Sequence, residues 1–485
     1  MPISCSIRRS TFDVRRSTFR LFVGLLVGAV VSAAFPLQAE ETALDRYVAK
    51  PDSTYSWKIA RTVQAGGATQ YIVDLTSQTW RTEKDIDRPV WKHWLNVVKP
   101  ARPTSKTAWL FIGGGANGGD APQSADQLTL RIAEATNSVV AELKMVPNQP
   151  LVLHGDGVPR KEDDFIAYTW DQFLKTGDET WPARLPMVKS AVRAMDCVQE
   201  LIAGEQGGGH KIDEFVVSGG SKRGWTTWCT AAVDKRVVAA IPIVIDVVNV
   251  PACSRHHIAA YGFYAEAIGD YVRHNLKGRM EDPRTKLLYA IEDPYSYRER
   301  LTMPKFVVNA SGDQYFPPDS SQFYYDDLKG EKYLRYVPNA DHSLRETDAQ
   351  ESIIAFYQTV LAGKPRPKYS WTFEKDGSIR VKTADAPKAV TLWHATNPGA
   401  RDFRVKTIGK SYQSQALKED GAGGFVGKIV APEKGWTAFF VELTYDVGEK
   451  FPLKLTTAVR ILPDTLPFAD LDPAKAPLEP RNPGK

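Results

Sequence analysis

Between residues 71 and 337 one pattern recurs: short runs of β-branched and aromatic residues, bounded by turn residues, with longer segments between them. The runs near 71–80, 91–98, 107–112, 138–143, 213–218, 237–245, 304–310 and 332–337 read as strands. After a long insertion beyond 143, Val188, Ala191, Val192, Met195, Val198 and Ile202 recur at helical spacing on one face. Strands alternating with helices call for a largely parallel sheet covered on both faces. The expectation is one large α/β domain over residues 40–365, built on a mostly parallel eight-stranded sheet.

The pattern changes after Gly363-Lys364-Pro365-Arg366-Pro367. Tyr369 to Thr383 reads as a hairpin about Asp376-Gly377, a pair that tolerates positive φ. Runs at 389–396, 425–430, 436–445 and 453–461 are strand-like with little helix between them. A C-terminal antiparallel β-sandwich over 366–462 follows from this. Residues 463–485, rich in proline, read as a surface tail.

The front of the chain reads differently again. Arginines at 8–20 precede the apolar run from Leu21 to Phe35, then Pro36-Leu37-Gln38-Ala39-Glu40. That is a charged region, an apolar region and a small residue suited to cleavage, so residues 1–39 read as an export signal. The run is short for a ~20-residue membrane span, and no later segment would span a bilayer. Export to a secreted or periplasmic location, without stable membrane insertion, is expected. Lys+Arg number 62 and Asp+Glu 57, a net charge of +5. The signal carries +4 of it, which leaves the body at +1. A body so nearly neutral gives no electrostatic case for nucleic acid.

Of the four cysteines, Cys5 leaves with the signal. Cys197, Cys229 and Cys253 have no zinc-ligand spacing. Cys229–Cys253 is the pair to test as a disulfide; three buried thiols are the other reading. The adjacent His256 and His257 lack nearby cysteines or a helix-spaced carboxylate pair, so no metal or cofactor is expected.

The chemistry gathers around Ser221. Phe215-Val216-Val217-Ser218-Gly219-Gly220-Ser221-Lys222-Arg223-Gly224-Trp225 runs a β-branched strand through a glycine-rich turn into a helix. Such a turn projects a serine above the sheet, and the helix start adds backbone N–H groups. Arg223 stands where the second glycine of G-x-S-x-G would be, and Gly224 follows one place later. A plain strand-to-helix turn is the competing reading. Two later positions weigh against it: Asp313 lies just past the seventh strand and His342 just past the eighth. Serine, acid and histidine in that order, each at the carboxyl end of a strand, form the α/β-hydrolase arrangement. His342 would take the Ser221 proton while Asp313 fixes the imidazole tautomer. Asp246, after the sixth strand, is the alternative acid.

Oxyanion donors are expected from Gly114 and Gly115, in the run Gly113 to Gly119 after the third strand, and from the Lys222 N–H. The segment from Val250 to Met303 (about 250–303) is read as a lid, with Trp225 and Trp228 as core or pocket walls. Lys222 and Arg223 are read as pairing with carboxylates rather than with substrate.

The runs 218–228, Ala231 to Val237 and Ile241 to Asn249 resemble the PhoPQ-activated pathogenicity-related protein family. So do Tyr168-Thr169-Trp170-Asp171, Thr180 to Met187 and Ser311-Gly312-Asp313-Gln314-Tyr315-Phe316. The resemblance spans about 45–465 and implies an α/β-hydrolase-like fold with export. That family also includes secreted autocrine proliferation repressor proteins, and its name records regulation rather than a substrate. Two functions stay open. One is a serine hydrolase cleaving a small-molecule or polymer ester or amide, an esterase ahead of a peptidase. The other is a non-catalytic secreted regulator that binds a protein partner through the C-terminal domain.

Overall fold

Period-two alternation divides the central strands between two cores. Phe215 and Val217 face a core shared with helices Glu162–Thr176, Arg184–Ala203 and Lys222–Val233; Val216 faces another, shared with Gln127–Thr136 and Ala349–Leu361. The computed structural model describes Met1, residues 41–421 and residues 423–480. The rest of the expected signal, with Cys5, lies outside them.

In chain order the strands are β1 (Ser56–Ala65), β2 (Ala68–Thr79), β3 (Val90–Pro100), β4 (Thr107–Ile112), β5 (Val140–Leu143), the two-residue pair β6 (Leu151–Val152) and β7 (Pro159–Arg160), β8 (Glu214–Gly220), β9 (Val237–Ile243), β10 (Lys305–Ala310) and β11 (Lys332–Val337). The described residues form a nine-stranded sheet in the order β1-β2-β3-β5-β4-β8-β9-β10-β11. Neighbours from β5 to β11 run parallel, while β1, β2, β3 and β5 pair antiparallel. Eight strands were expected. The addition is β1, an edge strand that pairs with β2 and is mostly exposed. It carries Lys58, Arg61 and Gln64, and an irregularity between Ile59 and Arg61 breaks its alternation, so it lacks a buried-strand signature.

Beyond the helix Ala349–Leu361 come β12 (Tyr369–Phe373), β13 (Ile379–Thr383), β14 (Ala389–Asn397), β15 (Gln413–Ala416), β16 (Gly424–Gly427), β17 (Trp436–Tyr445), β18 (Leu453–Thr456) and β19 (Arg460–Leu462). They make two antiparallel sheets, β12-β13-β16 and β15-β14-β17-β18, with β19 also on β17. Ile379 and Val381 of the first share a core with Leu392, Phe439 and Val441 of the second. That core runs on into Phe356 and Tyr357, so the sandwich is seated on the large sheet's own helix.

Residues 463–480 are mostly exposed or half-buried, and they are pinned. Pro477 O accepts from Tyr264 N at 2.8 Å, and Glu479 N donates to Tyr264 O at 2.8 Å. The Glu479 carboxylate meets Arg404 at 2.8 Å and Lys406 at 2.7 Å. Ala476 is fully buried there. Cys197, Cys229 and Cys253 are buried free thiols, so the Cys229–Cys253 disulfide is not formed. Their sulfurs look elsewhere: Cys229 to Glu292 O at 3.7 Å, Cys253 to Val248 O at 3.2 Å. Among the described residues no helix is long and apolar enough to cross a membrane.

Candidate active site

Ser221 occupies the turn between β8 and the helix Lys222–Val233 with φ 58° and ψ −127°. A β-carbon in that region crowds its own backbone, so neighbours must hold it there. They do: Ser221 N donates to Ile243 O at the end of β9, at 2.8 Å, and Ser221 O accepts from Trp225 N at 3.0 Å. Close approach of helix to strand requires two of the glycines. A β-carbon on Gly219 would lie 2.8 Å from Arg223 O; one on Gly224 would lie 2.8 Å from both Gly219 O and Ile243 O. The displaced second glycine of the motif therefore performs the packing role from position 224.

Arg223, the departure from the motif, points away to an acid. Its guanidinium grips Glu162 through two bonds of 2.8 and 2.7 Å. Lys222 Nζ lies 2.9 Å from Glu162 and 3.3 Å from Asp163. Burial opposes ionisation of Glu162, but these two cations outweigh it and hold its carboxyl at about 2. The pairing read from the sequence is the one observed.

Asp313 follows β10 through Ser311 and Gly312, and His342 follows β11. Asp313 Oδ2 lies 2.7 Å from His342 Nδ1, and Asp313 Oδ1 accepts from Tyr315 N at 2.8 Å. The carboxylate is 4% exposed and the imidazole 14%. A proton on Nδ1, facing the carboxylate, leaves Nε2 as the basic nitrogen. Nε2 is buried and has no hydrogen-bond partner among the described residues. Tyr315 packs its ring 4.3 Å from the imidazole, and Phe316 lies at 6.1 Å.

Asp246, the alternative acid, is held elsewhere. Its oxygens accept from Tyr324 Oη at 2.7 Å and Tyr336 Oη at 2.6 Å. Burial pushes its carboxyl up to about 7, despite those two donors. A carboxyl that stays protonated so high is poorly suited to stabilising an imidazolium. Asp313 is the acid on the histidine.

Ser221, Lys222 and Asp246 border one pocket of about 140 Å³, with Trp225 and much of the 250–303 segment on its walls. Trp228 is instead wholly buried in the core. The expected oxyanion glycines are not on that pocket wall. Gly114 sits beneath the Arg223 guanidinium and Gly115 against Met145. His256 Nε2 bonds Asp319 at 2.8 Å and His257 Nε2 accepts from Ala265 N at 3.1 Å. Among the described residues no group of three or more His, Cys, Asp or Glu is placed to hold a metal ion. Tyr271, in the segment read as lid and pocket lining, is on the pocket wall; sequence reasoning missed Trp170 and Tyr289 there, and Arg184 with its buried partner Glu292 at 3.3 Å. Only the aromatic content of 168–171 hinted at them.

Residues 44–404 match the sequence model of a family described as PhoPQ-activated pathogenicity-related protein. Autocrine proliferation repressor protein A of Dictyostelium discoideum is 38% identical over 473 residues, 92% of this chain and 94% of that one. Among solved structures, an acetyl xylan esterase from Paenibacillus sp. R4 is similar at 16% identity and a TM-score of 0.46, over 66% of this chain and 91% of that one. A glucuronoyl esterase from Solibacter usitatus is similar at 13% identity and a TM-score of 0.38, over 65% of this chain and 90% of that one.

Proposed function

This chain belongs to the PhoPQ-activated pathogenicity-related protein family, and from that premise we propose that it is an exported serine hydrolase cleaving an ester through an acyl-enzyme on Ser221. One observation carries the reading: the 2.7 Å bond from Asp313 to His342 Nδ1, which leaves a buried Nε2 with basic character and no partner among the described residues. His342 Nε2 takes the hydroxyl proton as Ser221 Oγ attacks the acyl carbon. The bond to the leaving alcohol then breaks, and the same proton passes from Nε2 to that alcohol. Water next attacks the acyl-enzyme, gives a proton to Nε2 and releases the acid, and Ser221 recovers its proton. Lys222 N–H, at the start of the helix, is the oxyanion donor best supported by position. Substrate must draw Ser221 Oγ and Nε2 within hydrogen-bond reach, as catalytic contacts often tighten only on binding.

A second reading is supported by the name of the Dictyostelium relative, a proliferation repressor, and by Tyr315 packed on the imidazole: an exported regulator that keeps the fold and binds a protein through its β-sandwich. Labelling by a fluorophosphonate separates the two. The hydrolase is labelled on Ser221, not in Ser221→Ala, and at least ~10³-fold more slowly in His342→Ala. Folded wild type that resists labelling, or labelling that survives in Ser221→Ala, overturns the hydrolase. Export by residues 1–39 belongs to both readings, and the mature chain would begin at Glu40.

A further inference from the structure

We infer that the pocket beside Ser221 is an acyl site for uncharged groups of benzoyl size, so that esters of aromatic or medium-chain acids are the preferred substrates; this rests on Ser221 being the nucleophile. Size comes first. A volume of about 140 Å³ is close to the ~150 Å³ that accommodates a benzene ring in an apolar protein cavity. An acetyl group would leave most of it unfilled, and a long fatty chain would not fit.

The walls favour a ring. Trp170 stands edge-on to Trp225 at 5.9 Å, with Tyr271 at 5.5 Å and Tyr289 at 6.2 Å. Leu276 and Met280 also line the pocket. At these spacings the four rings pack on one another as an aromatic wall, which offers a substrate ring offset or edge-on contact.

Most charges on the wall are paired with an opposite charge. Lys222 meets Glu162 and Asp163, and Arg184 meets Glu292. Asp246 holds two tyrosine hydroxyls. Lys277 gives its ammonium to Ala476 O at 2.8 Å. Burial pushes His257 down to about 3, so it is neutral. Arg184 Nη2 has no hydrogen-bond partner among the described residues, but the guanidinium is paired with the Glu292 carboxyl at 3.3 Å. An anionic acyl group would meet Lys222 and Arg184 already paired with carboxylates, and only the half-buried Lys277 ammonium, bonded to a neutral carbonyl, is left to oppose its charge, so burying that charge is costly.

Direction settles which half of the ester enters. The leaving alcohol must take its proton from His342 Nε2 and so lies on the histidine side. His342 is not on the pocket wall, although Tyr315 and Phe316, which pack on its ring, are. The half that remains bonded to Ser221 therefore faces the pocket.

The test is hydrolysis of p-nitrophenyl acetate, hexanoate, benzoate, 4-carboxybenzoate and hexadecanoate by the full mature chain, each rate normalised to alkaline hydrolysis. Benzoate and hexanoate should exceed acetate in kcat/KM by about 100-fold, and 4-carboxybenzoate should fall about 100-fold below benzoate. Leu276→Trp, which fills the pocket, should lower the benzoate-to-acetate ratio at least about tenfold, while Leu276→Met keeps it. Phenylboronic acid should protect Ser221 from fluorophosphonate at about a hundredth of the concentration that methylboronic acid needs. A labelled Ser221 with acetate preferred, a ratio unmoved by Leu276→Trp, or equal protection by the two boronic acids overturns the acyl site and leaves the nucleophile standing. A folded protein that hydrolyses nothing and takes no label overturns the nucleophile, and the acyl site with it.

Discussion

The buried carboxyl of Asp246 makes a prediction that can be read without knowing any substrate. It is 3% exposed and ionises only near pH 7, because burial penalises its charged form more than the Tyr336 and Tyr324 hydroxyls favour it. Unfolded, the same group ionises near 3.8. Below pH 4 both states hold the proton and the group has no effect on the pH slope. Between pH 4 and 7 the unfolded chain releases a proton that the folded chain keeps, so stability from this group falls as pH rises. The gap of roughly three pH units, at about 1.4 kcal/mol each, gives about 4 kcal/mol lost by pH 7. Other groups titrate in the same window with the opposite sign. His93 and His257 are held down to about 4 and about 3 by burial and contribute stability that is lost as pH falls below 6.5. The useful quantity is therefore the difference between wild type and Asp246→Asn, from urea unfolding at pH 4.5 and 7.5. The variant should gain about 3 kcal/mol on the wild type between those two pH values. A difference that does not change with pH, or that moves the other way, would refute the argument that Asp246 is neutral in the fold.

Asp313→Asn should lower kcat/KM on an activated ester about 10³- to 10⁴-fold while leaving urea unfolding nearly unchanged, since the amide presents the wrong tautomer to His342; a tenfold effect would discount its place on the imidazole. Gly224→Ala should cost about 2–3 kcal/mol, because its new carbon meets two carbonyl oxygens at 2.8 Å, whereas Gly220→Ala, with no atom within 4 Å, should stay within about 0.5 kcal/mol in the same unfolding assay. Ending the chain at Leu471 removes both backbone bonds to Tyr264 and the Glu479 carboxylate from Arg404 and Lys406. The loss is about 2 kcal/mol of local stability, read as roughly 30-fold faster proteolysis within 262–280, and unchanged cleavage there would show that the tail does not hold the segment.

The buried strands were legible because each buries both faces. Runs such as Phe306-Val307-Val308 and Val237 to Ile243 are apolar throughout, so composition alone marks them. Edge strands lack that mark, and β1 and β15, exposed over most of their length, were missed for the same reason. The 453–461 run reads as one strand but is two, β18 and β19. Both pair with β17, at Glu442 to Tyr445 and at Thr437 to Phe439. Burial there depends on which partner lies across, and a single sequence does not record that.

The site divides along the same line. Ser221, Asp313 and His342 could be named because each ends a strand that composition reveals, and a parallel sheet brings such ends to one edge. The sequence prefers Asp313 and keeps Asp246 as the alternative, and the structure adds the physical reason. Both follow a buried strand, and what separates them is a pair of tyrosines, Tyr324 and Tyr336, from distant positions. The pocket is harder still to read. Trp170, Trp225, Tyr271 and Tyr289 come from four helical segments and Leu276 from a connection between two, each with a pattern that serves core packing equally well. Candidate positions tied to strand ends are thus local signals, whereas the pocket that would choose the acyl group exists only once the 250–303 segment has folded beside Ser221. Sequence alone could suggest the chemistry but not the acyl group, and the ester series addresses that half of the question.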